Sequence, residues 1–134
     1  MPMPQSEVAT KPRTRSRQRQ RVAAVPEVAR YLQEHLGQKL TAFLSGVGDP
    51  KTVGRWASGK SHPLFTKEVR LRTAYDAARL ITDRVGDETA RAWFLGTSSY
   101  LDHTSPAVVL HEAQTPEECR HIVPAAVSFL EGAY

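Results

Sequence analysis

From Pro26 onward the apolar positions return every three or four residues, the spacing of one helix face. Val28, Leu32 and Leu36 hold this register until Gly37, and Pro26 suits a first turn because its missing amide proton would go unpaired there anyway. The pattern predicts a helix over residues 26–36. A second helix is predicted from Gln38 to Ser45, with Leu40, Phe43, Leu44 and then Val47 on one side, stopping at Gly46-Val-Gly48. Asp49-Pro50 restarts the chain, since aspartate accepts from the free amides of a first turn and proline fits its opening position. The third helix is expected to end near Ser58, with Gly59 as a left-handed stop. Val53 and Trp56 point to one side of it and Lys51, Thr52 and Arg55 to the other. Gly54 costs this helix about 1 kcal/mol relative to alanine. Close approach of another backbone, from protein or DNA, accounts for its being tolerated.

After Ser61-His-Pro63 a long helix is predicted over about 66–85, with Leu71, Ala74, Tyr75, Ala78, Ile81 and Val85 as a continuous stripe. Asp87 is the expected cap of the next helix, in which Ala90, Trp93, Phe94 and Leu95 make a bulky apolar end before Gly96. Thr97 to Tyr100 reads as a loop. Ser105-Pro106 repeats the cap-plus-proline signal and opens a short helix through Val108, Val109 and Leu110 to about Gln114. Thr115-Pro-Glu-Glu118 is a capping box ahead of a last helix carrying Ile122, Val123, Val127 and Leu130, in which Pro124 is expected to force a kink or break. No strict alternation and no repeat appears. The fold class is all-α, with about seven helices. The chain divides into a basic tail (1–25), a helix-turn-helix module (26–63), a connecting long helix (64–84) and a C-terminal module (85–134).

Charge adds a direction to this plan. Residues 1–21 carry Lys11, Arg13, Arg15, Arg17, Arg19 and Arg21 against Glu7 alone, whereas residues 73–134 hold four arginines against nine acids. The alternating Lys11–Arg21 stretch has nothing to bury and is expected to be disordered when free. A basic front half and an acidic back half imply two partners of different character, the first a nucleic acid. With 134 residues, 40% hydrophobic and 24% charged, the chain suits one domain or two modules sharing a core. No apolar run has membrane length and no signal-peptide core opens the chain, so a cytoplasmic protein is expected. Cys119, the single cysteine, is expected to be a small core residue.

The helix, glycine turn and basic helix from Gln38 to Gly59 has helix-turn-helix spacing, with the second helix entering a major groove. Lys51, Thr52 and Arg55 are the candidate contacts, joined by Lys39 and Lys60. Arg13, Arg15 and Arg17 would track phosphates or enter a minor groove. Arginine would pair with guanine edges, and lysine and Thr52 with phosphate. Any helical hairpin shares the spacing, so the basic face carries this reading. Catalytic constellations are missing: His111-Glu112 lacks the second histidine of a zinc motif, with Thr115 in its place, and Cys119 and His121 point to opposite sides of a helix. An enzyme, a cofactor and a metal are therefore not expected.

From about Gly37 onward the chain resembles the Xre/MbcA/ParS antitoxin family. In the first module the resemblance rests on Asp49-Pro-Lys-Thr-Val-Gly-Arg-Trp-Ala-Ser-Gly59, Pro63 and Arg70-Leu-Arg-Thr-Ala-Tyr-Asp-Ala-Ala78. In the second it rests on Ala92-Trp-Phe94, Tyr100-Leu-Asp-His, Ser105-Pro-Ala-Val-Val-Leu110 and Phe129-Leu-Glu-Gly132. It implies a two-part protein whose helix-turn-helix represses its own operon and whose C-terminal module covers a RES-domain toxin that degrades NAD. Trp93, Phe94, Tyr100, Leu101, Phe129 and Leu130 would then face the toxin, with Glu131, Gly132, Ala133 and Tyr134 at the mouth of its NAD pocket. A homodimer or a larger complex with toxin and operator DNA is expected. The residues alone leave open a solitary regulator whose C-terminal half only dimerises it, and an inhibitor whose helix-turn-helix is scaffold.

Overall fold

The computed structural model describes residues 22–132, and among these the chain is all-α, with no strand. Seven α-helices follow in order: α1 Val25–His35, α2 Gln38–Ser45, α3 Lys51–Ala57, α4 Phe65–Val85, α5 Asp87–Leu95, α6 Pro106–Glu112 and α7 Ile122–Leu130. Short 3-10 turns at Ser99–Leu101 and Pro116–Cys119 lie on either side of α6. Among the described residues no helix is long and apolar enough to cross a membrane.

One core runs through both halves. Val28 and Leu32 of α1, Leu44 of α2, Val53 of α3, Leu71 and Ile81 of α4, Phe94 of α5, Leu110 of α6 and Ile122 of α7 are all fully buried in it. The spine is α4, whose buried Ala74, Ala77 and Ala78 let neighbouring helices approach closely. Cys119 is buried, as its sequence context predicts, and burial pushes its thiol pKa up, which keeps it a packing residue rather than a nucleophile.

Arg70, on the same buried side of α4, is only 7% exposed. Its guanidinium donates from Nη1 to Ser45 O at 3.0 Å, and from Nε and Nη2 to Ala113 O at 3.0 and 2.6 Å. Ser45 ends α2 and Ala113 closes α6. Two helix C-termini, each with carbonyls lacking an internal partner, thus converge on one cation, where hydrogen bonding and the helix dipoles both favour it. No carboxylate pairs with Arg70 among the described residues. Gly46 makes room for it: φ is +89°, and a Cβ there would run into the guanidinium. Gly46→Ala combines a left-handed backbone with that collision. It is expected to lower stability by about 1–3 kcal/mol, measured by urea unfolding.

Several sequence expectations need correcting. Asp87 does not cap α5. Gly86 holds that position with φ +96°, and Asp87 Oδ1 instead accepts a 2.8 Å bond from His35 Nδ1 at the end of α1. Val85 and Leu95 close their stripes in sequence but are 49% and 64% exposed, because each is the last residue of its helix and turns away from the core. The capping box is shifted: Thr115 Oγ1 accepts from Glu118 N, but Glu118 Oε1 reaches Gln114 N, and the pair starts a 3-10 turn. Pro124 breaks nothing. The chain has already turned at Arg120-His121, which puts Pro124 in the first turn of α7, where a missing amide proton leaves no bond unmade. The close neighbour at Gly54 is the Gln38 side-chain amide, 3.1 Å from a notional Cβ, and not another backbone of this chain.

Candidate nucleic-acid and partner surfaces

The basic face is built on α3. Val53 and Trp56 are buried beneath it, while Lys51 and Arg55 are exposed and Thr52 is half-buried. Asp49 Oδ1 accepts from Lys51 N at 2.9 Å, which fixes the start of the helix. At its far end Arg30 Nη1 donates to Ala57 O at 3.0 Å, tying α3 to α1. Arg55 Nη2 donates to Thr52 Oγ1 at 3.0 Å, which steadies the guanidinium along the outer face. Lys60 N bonds back to Arg55 O, keeping the Lys60 backbone beside the end of α3, and the side chain of Gln38, the residue before exposed Lys39, lies against Gly54. Lys51, Thr52 and Arg55 share the outer side of α3, and the other two candidates, Lys39 and Lys60, are exposed. None of the four cations among them pairs with a carboxylate among the described residues. Arg13, Arg15 and Arg17 lie outside the described residues.

A neighbouring cluster anchors the start of the described chain. Glu68 accepts from Arg72 Nε at 2.7 Å and lies 3.2 Å from His62 Nε2, while Arg72 Nη1 donates to Ala23 O at 2.6 Å. The Arg72 guanidinium, with a smaller contribution from His62, holds the Glu68 carboxyl below its ordinary pKa of 4.5. A depressed carboxylate stabilises the fold above its unfolded pKa, and that contribution disappears as pH falls through the folded value. Glu68→Gln is expected to flatten the acid side of the stability profile below about pH 4.5, with little change at neutral pH beyond the lost pair. Urea midpoints across that range measure it.

The second surface is a cleft of about 250 Å³ in the C-terminal half, walled by Thr89, Ala92 and Trp93 of α5, the 96–100 loop, and Ala125 and Phe129 of α7. Trp93 meets Phe94 edge-on at 5.0 Å and tilts toward Phe129 at 6.4 Å, so one ring sets the position of the others. The loop is closed by Ser98 N donating to Thr104 O at 3.1 Å and His103 N to Ser98 O at 2.7 Å. Asp102 and His103 both take left-handed φ, at 56° and 62°. Such backbone costs on the order of 1–3 kcal/mol per residue and persists where the surroundings enforce it. Its effect is to hold Tyr100 at the rim, 49% exposed.

The predicted partner residues thus separate into three groups. Trp93, Tyr100 and Phe129 line the cleft, and Leu130 is half-buried beside it with Glu131 and Gly132 exposed at the end of α7. Phe94 and Leu101, at 0% and 8% exposure, are core residues and do not line the cleft, whereas Trp93, also 8% exposed, does, so the assignment of Phe94 and Leu101 as direct contacts is corrected to core residues. Ala133 and Tyr134 lie outside the described residues. The cleft residues Thr97, Ser98 and Ser99 went unnoticed in sequence because small polar residues in a loop carry no periodic signal, and Thr89 and Ala125 because small helical residues do not stand out beside the aromatic ones. His111 was set aside as an incomplete zinc motif. It stacks flat on Phe43 at 4.2 Å and donates from Nδ1 to Phe43 O at 2.7 Å, joining α6 to α2. Among the described residues no group of three or more histidine, cysteine, aspartate or glutamate side chains is placed to hold a metal ion.

Against family models, curated proteins and solved structures, the chain has no match in any of the three comparisons.

Proposed function

We propose that the chain is an antitoxin of the Xre/MbcA/ParS type, which binds and blocks a RES-domain NAD-degrading toxin and represses its own operon through α2, the following turn and α3. The observation that carries the reading is the separation of two prepared surfaces on one core. The α3 face presents Lys51 and Arg55 with no carboxylate against either among the described residues. The α5/α7 end presents an aromatic cleft with exposed Tyr100 and Leu95 beside it. Cations without internal partners suit a polyanion, where they displace condensed counterions. An apolar cleft with aromatic walls suits anchor side chains of a protein partner.

A repressing antitoxin must hold both partners at once, and a rigid connection between the surfaces serves that. The Arg70 bonds, the Phe43–His111 stack and the His35–Asp87 bond supply it. The experiment is co-expression of the chain with a RES-domain protein encoded beside it, followed by co-purification and footprinting of the DNA upstream of the pair. Protection by the complex supports the reading. Protection by the chain alone, with no complex formed, favours the solitary regulator, for which exposed Leu64 and Phe65 at the start of α4 offer an apolar contact to a second copy.

A further inference from the structure

The cleft between α5, the 96–100 loop and α7 has a volume of about 250 Å³. An apolar cavity of roughly 150 Å³ already accepts benzene, so this one has room for a second fused ring and not for a large cofactor. Its lining holds three aromatic side chains, Trp93, Tyr100 and Phe129, and no lysine, arginine, histidine, aspartate or glutamate. A charged group would shed its water there with no counter-charge to replace it, so the occupant has to be neutral. Aromatic walls take another ring edge-on or offset, at about 4.5–7 Å between centroids. The hydroxyls of Thr97 and Ser99 belong to the same lining and have no hydrogen-bond partner in the chain among the described residues. A hydroxyl both donates and accepts, so either suits a ring N–H or a ring carbonyl. We propose that the cleft binds one free, uncharged, two-ring heteroaromatic molecule of the indole class, its ring against Tyr100 and Phe129 and its polar edge toward Thr97 and Ser99.

The site is built before a ligand arrives. Ser98 Oγ accepts from Tyr100 N at 3.2 Å and Ser98 N donates to Thr104 O at 3.1 Å, while Asp102 and His103 hold their left-handed φ. The loop that carries Thr97, Ser99 and Tyr100 is thereby closed on itself. Trp93, 8% exposed and packed edge-on against Phe94, is a fixed backing and not a side chain that must move to admit a ring. Binding then costs little ordering of the protein, which is the cost that most often cancels the gain from a small ligand. An anchor side chain from a protein partner needs the same space. The free molecule therefore competes with that anchor, a consequence that rests on the antitoxin reading, whereas the binding itself does not.

Indole is the probe, titrated into the full chain without toxin or DNA and followed by amide NMR. The expected result is saturable shifts of the Gly96–Tyr100 amides and the Trp93 indole, with a Kd on the order of 1 mM, as a ligand this small allows. Indole-2-carboxylate, the same ring with a fixed negative charge, should bind about tenfold more weakly or worse. Ala92→Leu, at an exposed lining position of α5, fills the space with a good helix former. It should remove the shifts and leave the circular dichroism spectrum unchanged. No saturable shift at about 10 mM indole overturns the proposal. Equal shifts at exposed Leu64 and Phe65 also overturn it, because they mark adsorption to any apolar surface. Equal affinity for the carboxylate does the same. The measurement needs neither toxin nor operator, so its failure leaves the antitoxin reading standing.

Discussion

Replacing Arg70 by methionine is expected to lower stability by about 3–5 kcal/mol. Methionine fills similar space and removes a buried charge, and on those grounds alone the exchange could be neutral. The partners decide otherwise. Ser45 O and Ala113 O are backbone atoms that the substitution leaves in place, buried at two helix ends. Each loses its donor, at about 1–3 kcal/mol per orphaned group. The seam between the two halves opens at the same time. For a domain of this size the loss corresponds to roughly 10–20 °C in Tm, measured by thermal unfolding followed by circular dichroism. Arg70→Lys keeps the charge but cannot reach both carbonyls with a planar fork, and is expected to recover less than half. A drop under about 1 kcal/mol for Arg70→Met would contradict the account of Arg70 as the link between α2 and α6.

Lys51→Ala together with Arg55→Ala is expected to weaken operator binding by about 30- to 1000-fold, while the fold stays intact. Both side chains are exposed, so stability should hold within about 0.5 kcal/mol. Losing the two cations should also reduce the steepness of the salt dependence by about two phosphate equivalents at most. Titration at several salt concentrations separates the two roles. Arg55→Lys distinguishes them further, because lysine retains a phosphate contact and loses a bidentate guanine contact. Unchanged DNA affinity in the double variant would reduce α3 to scaffold.

The helices were legible because their signals are local. The boundaries of α2 follow from its apolar face and Gly46, and the start of α6 follows from Ser105, whose Oγ accepts from Val108 N at 3.2 Å. Opposite faces of α3 separate correctly because the pattern on seven residues is unmixed. What escaped was tertiary. Arg70 stands one turn ahead of Ala74 on the stripe that continues to Ile81, and a base at that position was the available sign of a buried cation; its carbonyl partners are 25 and 43 residues away. Asp87 has the composition of a cap, but His35, 52 residues distant, takes its carboxylate. Pro124 was misjudged because its effect depends on where a helix begins, and that start is set by the turn at Arg120-His121. The cleft was half legible. Its aromatic members are conspicuous in sequence, whereas burial of Phe94 and exposure of Tyr100 are decided by packing.

The most direct test is a titration of purified RES-domain toxin, taken from the gene beside this chain, with the full chain while NAD consumption is followed. The account predicts that consumption falls to the background rate at a fixed stoichiometric ratio. Ala92→Arg, which places a bulky cation at the exposed edge of the cleft, should release the block, and the Lys51→Ala, Arg55→Ala variant should inhibit as well as the unaltered chain. Undiminished NAD consumption in the presence of excess chain would contradict the antitoxin reading and leave a DNA-binding regulator in its place.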